Sequence, residues 1–154
     1  MGHINQGKLY AIDAWDNDVA IQYLEKNDTQ RYWWRRVSFT KVFDAFKRML
    51  IQWDLNDVCK CIKLPSAIAV SEIEKYGEID FLHIDGNSSQ KGSLEDVENY
   101  LPLVKSGGYV FLSNAFIRAN RKYTKTDAGN FILDSCRFVL SVDQGNSILY
   151  LKRY

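Results

Sequence analysis

The stretch Ile79-Asp80-Phe81-Leu82-His83-Ile84-Asp85-Gly86-Asn87 decides the fold. It is a short apolar run that stops abruptly in a carboxylate, a glycine and an amide. A run of this length bounded by turn residues reads as a fully buried strand of a parallel sheet. In open α/β sheets, ligands bind outside the carboxyl ends of such strands. Asp85 therefore stands where chemistry is expected; the plainer alternative is an Asp that caps the next turn.

Working outward, a second parallel-type strand follows at Tyr109-Val110-Phe111-Leu112-Ser113, entered from the turn Ser106-Gly107-Gly108. Between the two strands, Ser93 is expected to open a helix with Glu95 and Asp96 in its first turn. Leu94, Val97, Leu101 and Val104 form the apolar stripe, and Pro102 should end the helix. Upstream, Lys8 to Asp13 reads as a strand that also ends in a carboxylate, and Asp18 as the cap of a helix through Ile21 and Leu24. Lys26 to Arg36 reads as a loop. Phe39, Val42, Phe43, Phe46, Met49, Leu50 and Trp53 then repeat at helical spacing behind Ser38, with Asn56 suited to the helix end. Val58 to Leu64 reads as a strand broken by Pro65-Ser66, and a short helix follows to Tyr76, closed by Gly77. Downstream, Arg118 to Thr126 reads as a polar loop and Asp127 to Cys136 as a helix. Arg137 to Asp143 and Ser147 to Arg153 form a closing hairpin around Gln144-Gly145-Asn146. Strands and helices that alternate in this way predict an α/β fold with a mainly parallel, Rossmann-like sheet, helices on both faces and an antiparallel C-terminal hairpin.

Composition narrows the class. The 154 residues are 46% apolar and 25% charged, a globular balance in a chain of single-domain length. One domain over residues 1–154 is expected. A net charge of +1 gives no field to draw the chain to nucleic acid or a membrane surface. No signal peptide or membrane-spanning apolar run is found. Three cysteines without a CxxC spacing point to a reducing cytoplasm. Cys59 and Cys61 share a strand face and read as small hydrophobes.

Residues Ile79 to Ser113, IDFLHIDGNSSQKGSLEDVENYLPLVKSGGYVFLS, resemble the second half of class I S-adenosylmethionine-dependent methyltransferases, closest in look to small-molecule O-methyltransferases. Lys8 to Trp15, KLYAIDAW, resembles that family's second strand. The resemblance implies that Asp13, with Ala14 beside it, binds the ribose hydroxyls of S-adenosylmethionine. It implies that the Ser66-Ala67 turn borders the adenine and that Asp85 positions the acceptor hydroxyl. Asp85 and Asn114 would be the remnant of a magnesium site. Pro65 stands where the family has an adenine-accepting Asp, Ser88 where it often has His, and Ser113 where it has a second metal-binding Asp. No strand with a glycine-rich turn precedes Lys8, so the chain is expected to start at the family's second strand. The missing strand's neighbours would then close directly on each other, a second chain would supply it, or the chain would be a fragment of a longer protein. Unpaired strand edges would favour a homo-oligomer.

Two functions follow from the resemblance. One is S-adenosylmethionine-dependent O-methylation of a small molecule or sugar. The other is an inactive methyltransferase-like fragment or interaction module that no longer binds cofactor. Three further features have bland and sharp readings. His83 reads as a buried, hydrogen-bonded side chain rather than a base. His3 reads as part of a mobile terminus. The cluster Arg31-Tyr32-Trp33-Trp34-Arg35-Arg36 reads as a solvated loop with its Trp residues tucked into the core. Its sharper alternative is a surface that stacks a planar anion.

Overall fold

The computed structural model describes residues 7–87, 89–119, 122–142 and 146–154. His3, Ser88 and most of the hairpin turn at Gln144-Gly145 lie outside them. The chain divides into two compact units, residues 1–69 and 70–154.

The first unit pairs β1 (Leu9–Ile12) in parallel with β2 (Cys59–Ile62), register Leu9 to Cys59 through Ile12 to Ile62. Three helices lie between them in sequence: α1 (Asn17–Ala20), α2 (Thr29–Trp34) and α3 (Phe39–Gln52). The cap of α1 is Asp16 rather than Asp18. Its Oδ1 accepts from the Asp18 and Val19 amides, and the helix ends before Leu24. The expected loop at 26–36 contains α2, because Asp28 accepts from the Gln30 amide and starts a helical turn. Trp34 does tuck in, stacking on Phe39 at 5.8 Å, but Trp33 is 58% exposed. The predicted α3 forms with Ser38 at its N-cap position, without a side-chain hydrogen bond. It ends at Gln52, followed by Trp53 as its cap and Asp54 in the left-handed region, not at Asn56. Its Phe43 and Phe46 rings pack on Trp15 at 4.5 and 5.9 Å. Cys59 is buried and Cys61 half-buried. Burial, and then neighbouring Cys61, push the Cys59 thiol up.

Helix α4 (Ser66–Ile73) continues into a 3-10 turn, Glu74–Tyr76, and Gly77 closes it as expected. The second unit holds a four-stranded sheet of β3 (Ile79–Ile84), β4 (Val104–Leu112), β7 (Cys136–Val142) and β8 (Ser147–Lys152), in the order β3-β4-β8-β7. β3 and β4 are parallel, and β8 runs antiparallel to both β4 and β7. This is the expected α/β architecture with its C-terminal antiparallel hairpin. Among the described residues β1 pairs with β2 in the first unit, and β3 pairs with β4 in the second.

As the edge of this sheet, β3 is not fully buried: Phe81 is 57% exposed and only Ile84 reaches the core class. Ser106-Gly107-Gly108 is a bulge inside β4 rather than a turn before it. The register moves from Ile79–Val104 to Phe81–Tyr109, two steps along β3 against five along β4, and Gly107 sits at φ +76. Helix α5 (Gln90–Tyr100) starts three residues earlier than expected, capped by Ser89, and stops before the 3-10 turn at Pro102. The Lys/Arg-rich segment is not a loop. It pairs as a hairpin of β5 (Phe116–Ala119) and β6 (Lys122–Lys125). Helix α6 (Asp127–Ile132) ends early, and Cys136 opens β7. Val97, Val110, Leu112, Ala128, Ile132 and Tyr150 form the centre of one core between sheet and helices.

Candidate functional site

In the first unit, Asp13 follows β1, and Pro65 with Ser66 and Ala67 follows β2; Ser66 and Ala67 are not a turn but the start of α4. Because the strands are paired in parallel, Ile12 against Ile62, both segments leave the same end of the sheet. The Asp13 amide still donates to the Ile62 carbonyl at 3.3 Å. Asp13 Oδ1 accepts from the Trp15 amide at 2.6 Å, holding Trp15 at φ 45. It thus closes a tight turn, while the cap of α1 is Asp16. Asp13 and Ala67 are exposed, Ala14 and Ser66 half-buried.

In the second unit, Asp85 follows β3, and Ser113-Asn114 follow β4. The Ser113 amide donates to the Ile84 carbonyl at 3.0 Å, so these two strand ends stand side by side. Asp85 is exposed. Its turn is locked from below by α5. A Cβ on Gly86 would come 2.7 Å from Asp96 Oδ2, and one on Gly92 would come 2.7 Å from Asn87 Cβ and Cγ. Asn87 Oδ1 accepts from the Ser89 amide, and Ser89 Oγ from the Gly92 amide. Asn87, Ser89 and Gly92 therefore seat the Asp85 turn on the first turn of α5. The spacing Asp-Gly-Asn with Ser and Gly downstream was the available signal for this seat.

Asn114 is set by a second network. It has φ 54, and its Oδ1 accepts from Asn146 Nδ2 at 3.1 Å. The Ala115 amide donates to the Asn146 carbonyl, and the Ala115 carbonyl accepts from both the amide and the hydroxyl of Thr126, the α6 cap. Asn146 and Thr126 were invisible as site residues in the sequence, because both act across tertiary contacts. His83 is hydrogen-bonded, Nε2 to Ser113 Oγ at 3.2 Å, but its side chain is exposed rather than buried. Arg36 lies over the Tyr32 ring at 3.7 Å, and Arg31 donates to the Ile21 and Leu24 carbonyls, so two cations of the aromatic-basic cluster are already partnered within the chain. Among the described residues no three His, Cys, Asp or Glu side chains converge to hold a metal. No helix among them is long and apolar enough to cross a membrane.

A family model described as a methyltransferase domain matches residues 1–115. Two solved structures share the fold. An O-methyltransferase family protein from Burkholderia thailandensis superposes with a TM-score of 0.56 at 12% identity, over 95% of this chain and 51% of its own. The O-methyltransferase NovP superposes with a TM-score of 0.58 at 15% identity, over 96% of this chain and 60% of its own. The chain thus spans between half and three fifths of the length of these two proteins. A search of curated protein sequences found no match. With the family model covering most of the chain, this chain belongs to the methyltransferase-domain family.

Proposed function

We propose that the chain transfers a methyl group from S-adenosylmethionine to a hydroxyl oxygen of a small-molecule or sugar acceptor. The observation that carries this is Asp85, an exposed carboxylate at the carboxyl end of β3, in a turn that α5 holds rigidly. Asp13 fits the ribose of the cofactor. Its Oδ1 is taken by the Trp15 amide, and Oδ2 would be the oxygen to accept from a ribose hydroxyl, a charge-assisted bond. Ala14, Ser66 and Ala67 would flank the nucleoside; Pro65 offers it neither a carboxylate nor an amide donor.

Bound S-adenosylmethionine supplies an electrophilic methyl group on sulfur. Asp85 accepts a hydrogen bond from the acceptor hydroxyl, orients its lone pair in line, and takes its proton as the new C–O bond forms and the C–S bond breaks. Magnesium fits the donor set poorly. The Asn114 amide oxygen already serves Asn146, Ser113 pairs with His83, and one carboxylate is left. The proton transfer is therefore assigned to Asp85 alone.

Calorimetry with S-adenosylmethionine, with and without magnesium, is the first test; micromolar affinity indifferent to the metal is expected. Asp85→Asn should lower kcat for methyl transfer about 100-fold or more with cofactor affinity unchanged. An unchanged kcat removes Asp85 from the chemistry. A second reading, an interaction module without cofactor, draws on Pro65 and on the engaged Asn114 amide. Absence of binding at millimolar cofactor would select it.

A further inference from the structure

In the first unit, the helical turn of α2 continues past Trp34. Arg35 has helical backbone angles, and the Arg35 and Arg36 amides donate to the Arg31 and Trp33 carbonyls. At about 100° per residue, Arg31 and Trp34 share one side of this turn. Both are anchored: Arg31 donates to the Ile21 and Leu24 carbonyls, and Trp34 stacks on buried Phe39. The other side carries Arg35, Tyr32, Arg36 and Trp33, in that angular order, and all four are exposed.

Scattered exposed aromatics need no explanation, but these two adjoin and are held in place. Trp33 packs edge-on against Trp34 at 4.5 Å, and the Arg36 guanidinium lies over the Tyr32 ring. Stacking engages the face of the guanidinium and leaves its in-plane N–H fork for an oxyanion. Among the described residues neither Arg35 nor Arg36 has an ion-pair partner. Residues 29–43 hold Arg31, Arg35, Arg36 and Lys41 and no Asp or Glu, so the net charge of +1 conceals a local cationic stretch. The surface thus presents a braced indole and two guanidiniums without an acid. Its complement is a flat ring beside more than one anionic group. A monoanion would match one guanidinium, and an acidic peptide has no flat ring for the indole. A nucleic-acid single strand has both, with phosphates on either side of a base that stacks on aromatic rings.

We propose that this face of α2 binds single-stranded nucleic acid, with one base stacked on Trp33 and the flanking phosphates at Arg36 and Arg35. The proposal stands on the first unit alone and does not depend on methyl transfer. The test follows the full chain by fluorescence anisotropy with a labelled oligouridylate and a labelled oligoglutamate of equal charge, across a salt series. Saturable oligouridylate binding is expected, with log K falling against log salt at a slope of about −1.4, the release expected from two phosphates of a single strand. Arg36→Gln should reduce that slope by about half. Trp33→Ala should weaken binding about tenfold, the worth of one stacked base. Trp33→Phe, which keeps a flat ring, should retain most of the affinity, and at this exposed position both variants are expected to fold. Oligoglutamate should bind more weakly and be indifferent to Trp33→Ala. Equal affinity for oligoglutamate would make an acidic protein segment the partner and overturn the proposal. So would no saturation by oligouridylate, binding unchanged in Trp33→Ala, equal losses in the Ala and Phe variants, or a salt slope unmoved by Arg36→Gln.

Discussion

At the scale of single residues, one buried side-chain polar atom among the described residues lacks a hydrogen-bond partner, the Tyr150 hydroxyl. Tyr150 belongs to the core cluster that also holds Leu112, Val110 and Ile132. Replacing an unmatched buried donor by an apolar group of the same shape removes a desolvation cost. Tyr150→Phe should therefore stabilise the apo protein by about 1 kcal/mol, read as a rise of roughly 2–4 °C in Tm. A fall in Tm would show that the hydroxyl has a partner that the packing conceals. By contrast, Lys152 is fully used. Its ammonium donates to the Leu101, Pro102 and Val104 carbonyls, matching acceptors that the 3-10 turn leaves open.

At the scale of elements, the seat of the Asp85 turn on α5 is the tightest contact near the site. Alanine normally favours a helix over glycine by about 1 kcal/mol. At Gly92 the preference should reverse, since the new methyl would lie 2.7 Å from the Asn87 side chain. Gly92→Ala is expected to cost about 1–3 kcal/mol in a thermal or urea melt and to weaken methyl transfer by displacing Asp85. Edge strand β3 makes the other elemental prediction. Alternation from the Ile84 carbonyl, which faces β4, puts the backbone groups of Phe81 and His83 on the unpaired edge. An exposed Phe81 beside open backbone groups favours self-association through this edge. Sedimentation velocity should show concentration-dependent dimers that Phe81→Lys disperses; a monomer at all concentrations would rule this out.

At the scale of the whole molecule, two tyrosines couple folding to alkaline pH. Burial, and then the Asp96 charge, push Tyr100 up to about 12. Burial, and then Cys136, push Tyr150 up to about 12. Both are held neutral in the folded state beyond the ordinary phenol value of about 10. Their contribution to stability is complete below pH ~10 and is lost as pH rises from ~10 to ~12, where the unfolded chain sheds these protons first. Chemical denaturation between pH 9 and 12 should show this decline, and Tyr150→Phe should make it shallower. A stability curve flat over that window would contradict the burial of both rings.

The sequence by itself determined most of the element types and the family, because those rest on local signals; α2 and the β5–β6 hairpin, both read as loops, were the exceptions. Apolar periodicity predicted α3. Pro65 and Gly77 punctuated α4. The run ending Asp85-Gly86-Asn87 marked a strand end with a carboxylate, and Ser147 to Arg153 marked the closing hairpin. Helix starts were misplaced where several cap residues crowd together, as Asp16 over Asp18 and Ser89 over Ser93 show; the choice among them depends on which amides the rest of the fold leaves open. Only the tertiary structure decided the exposure of β3, since a strand's burial depends on neighbours that its own residues do not encode. It also decided the bulge at Gly107, the pairing of β5 with β6, and the capture of the Asn114 amide by Asn146, 32 residues away. Apart from the β5–β6 hairpin, whose strands adjoin in sequence, each of these depends on contacts between distant segments, which local propensity does not report. For that reason the identity of the candidate acids was legible in the sequence, and the supports that hold them were not.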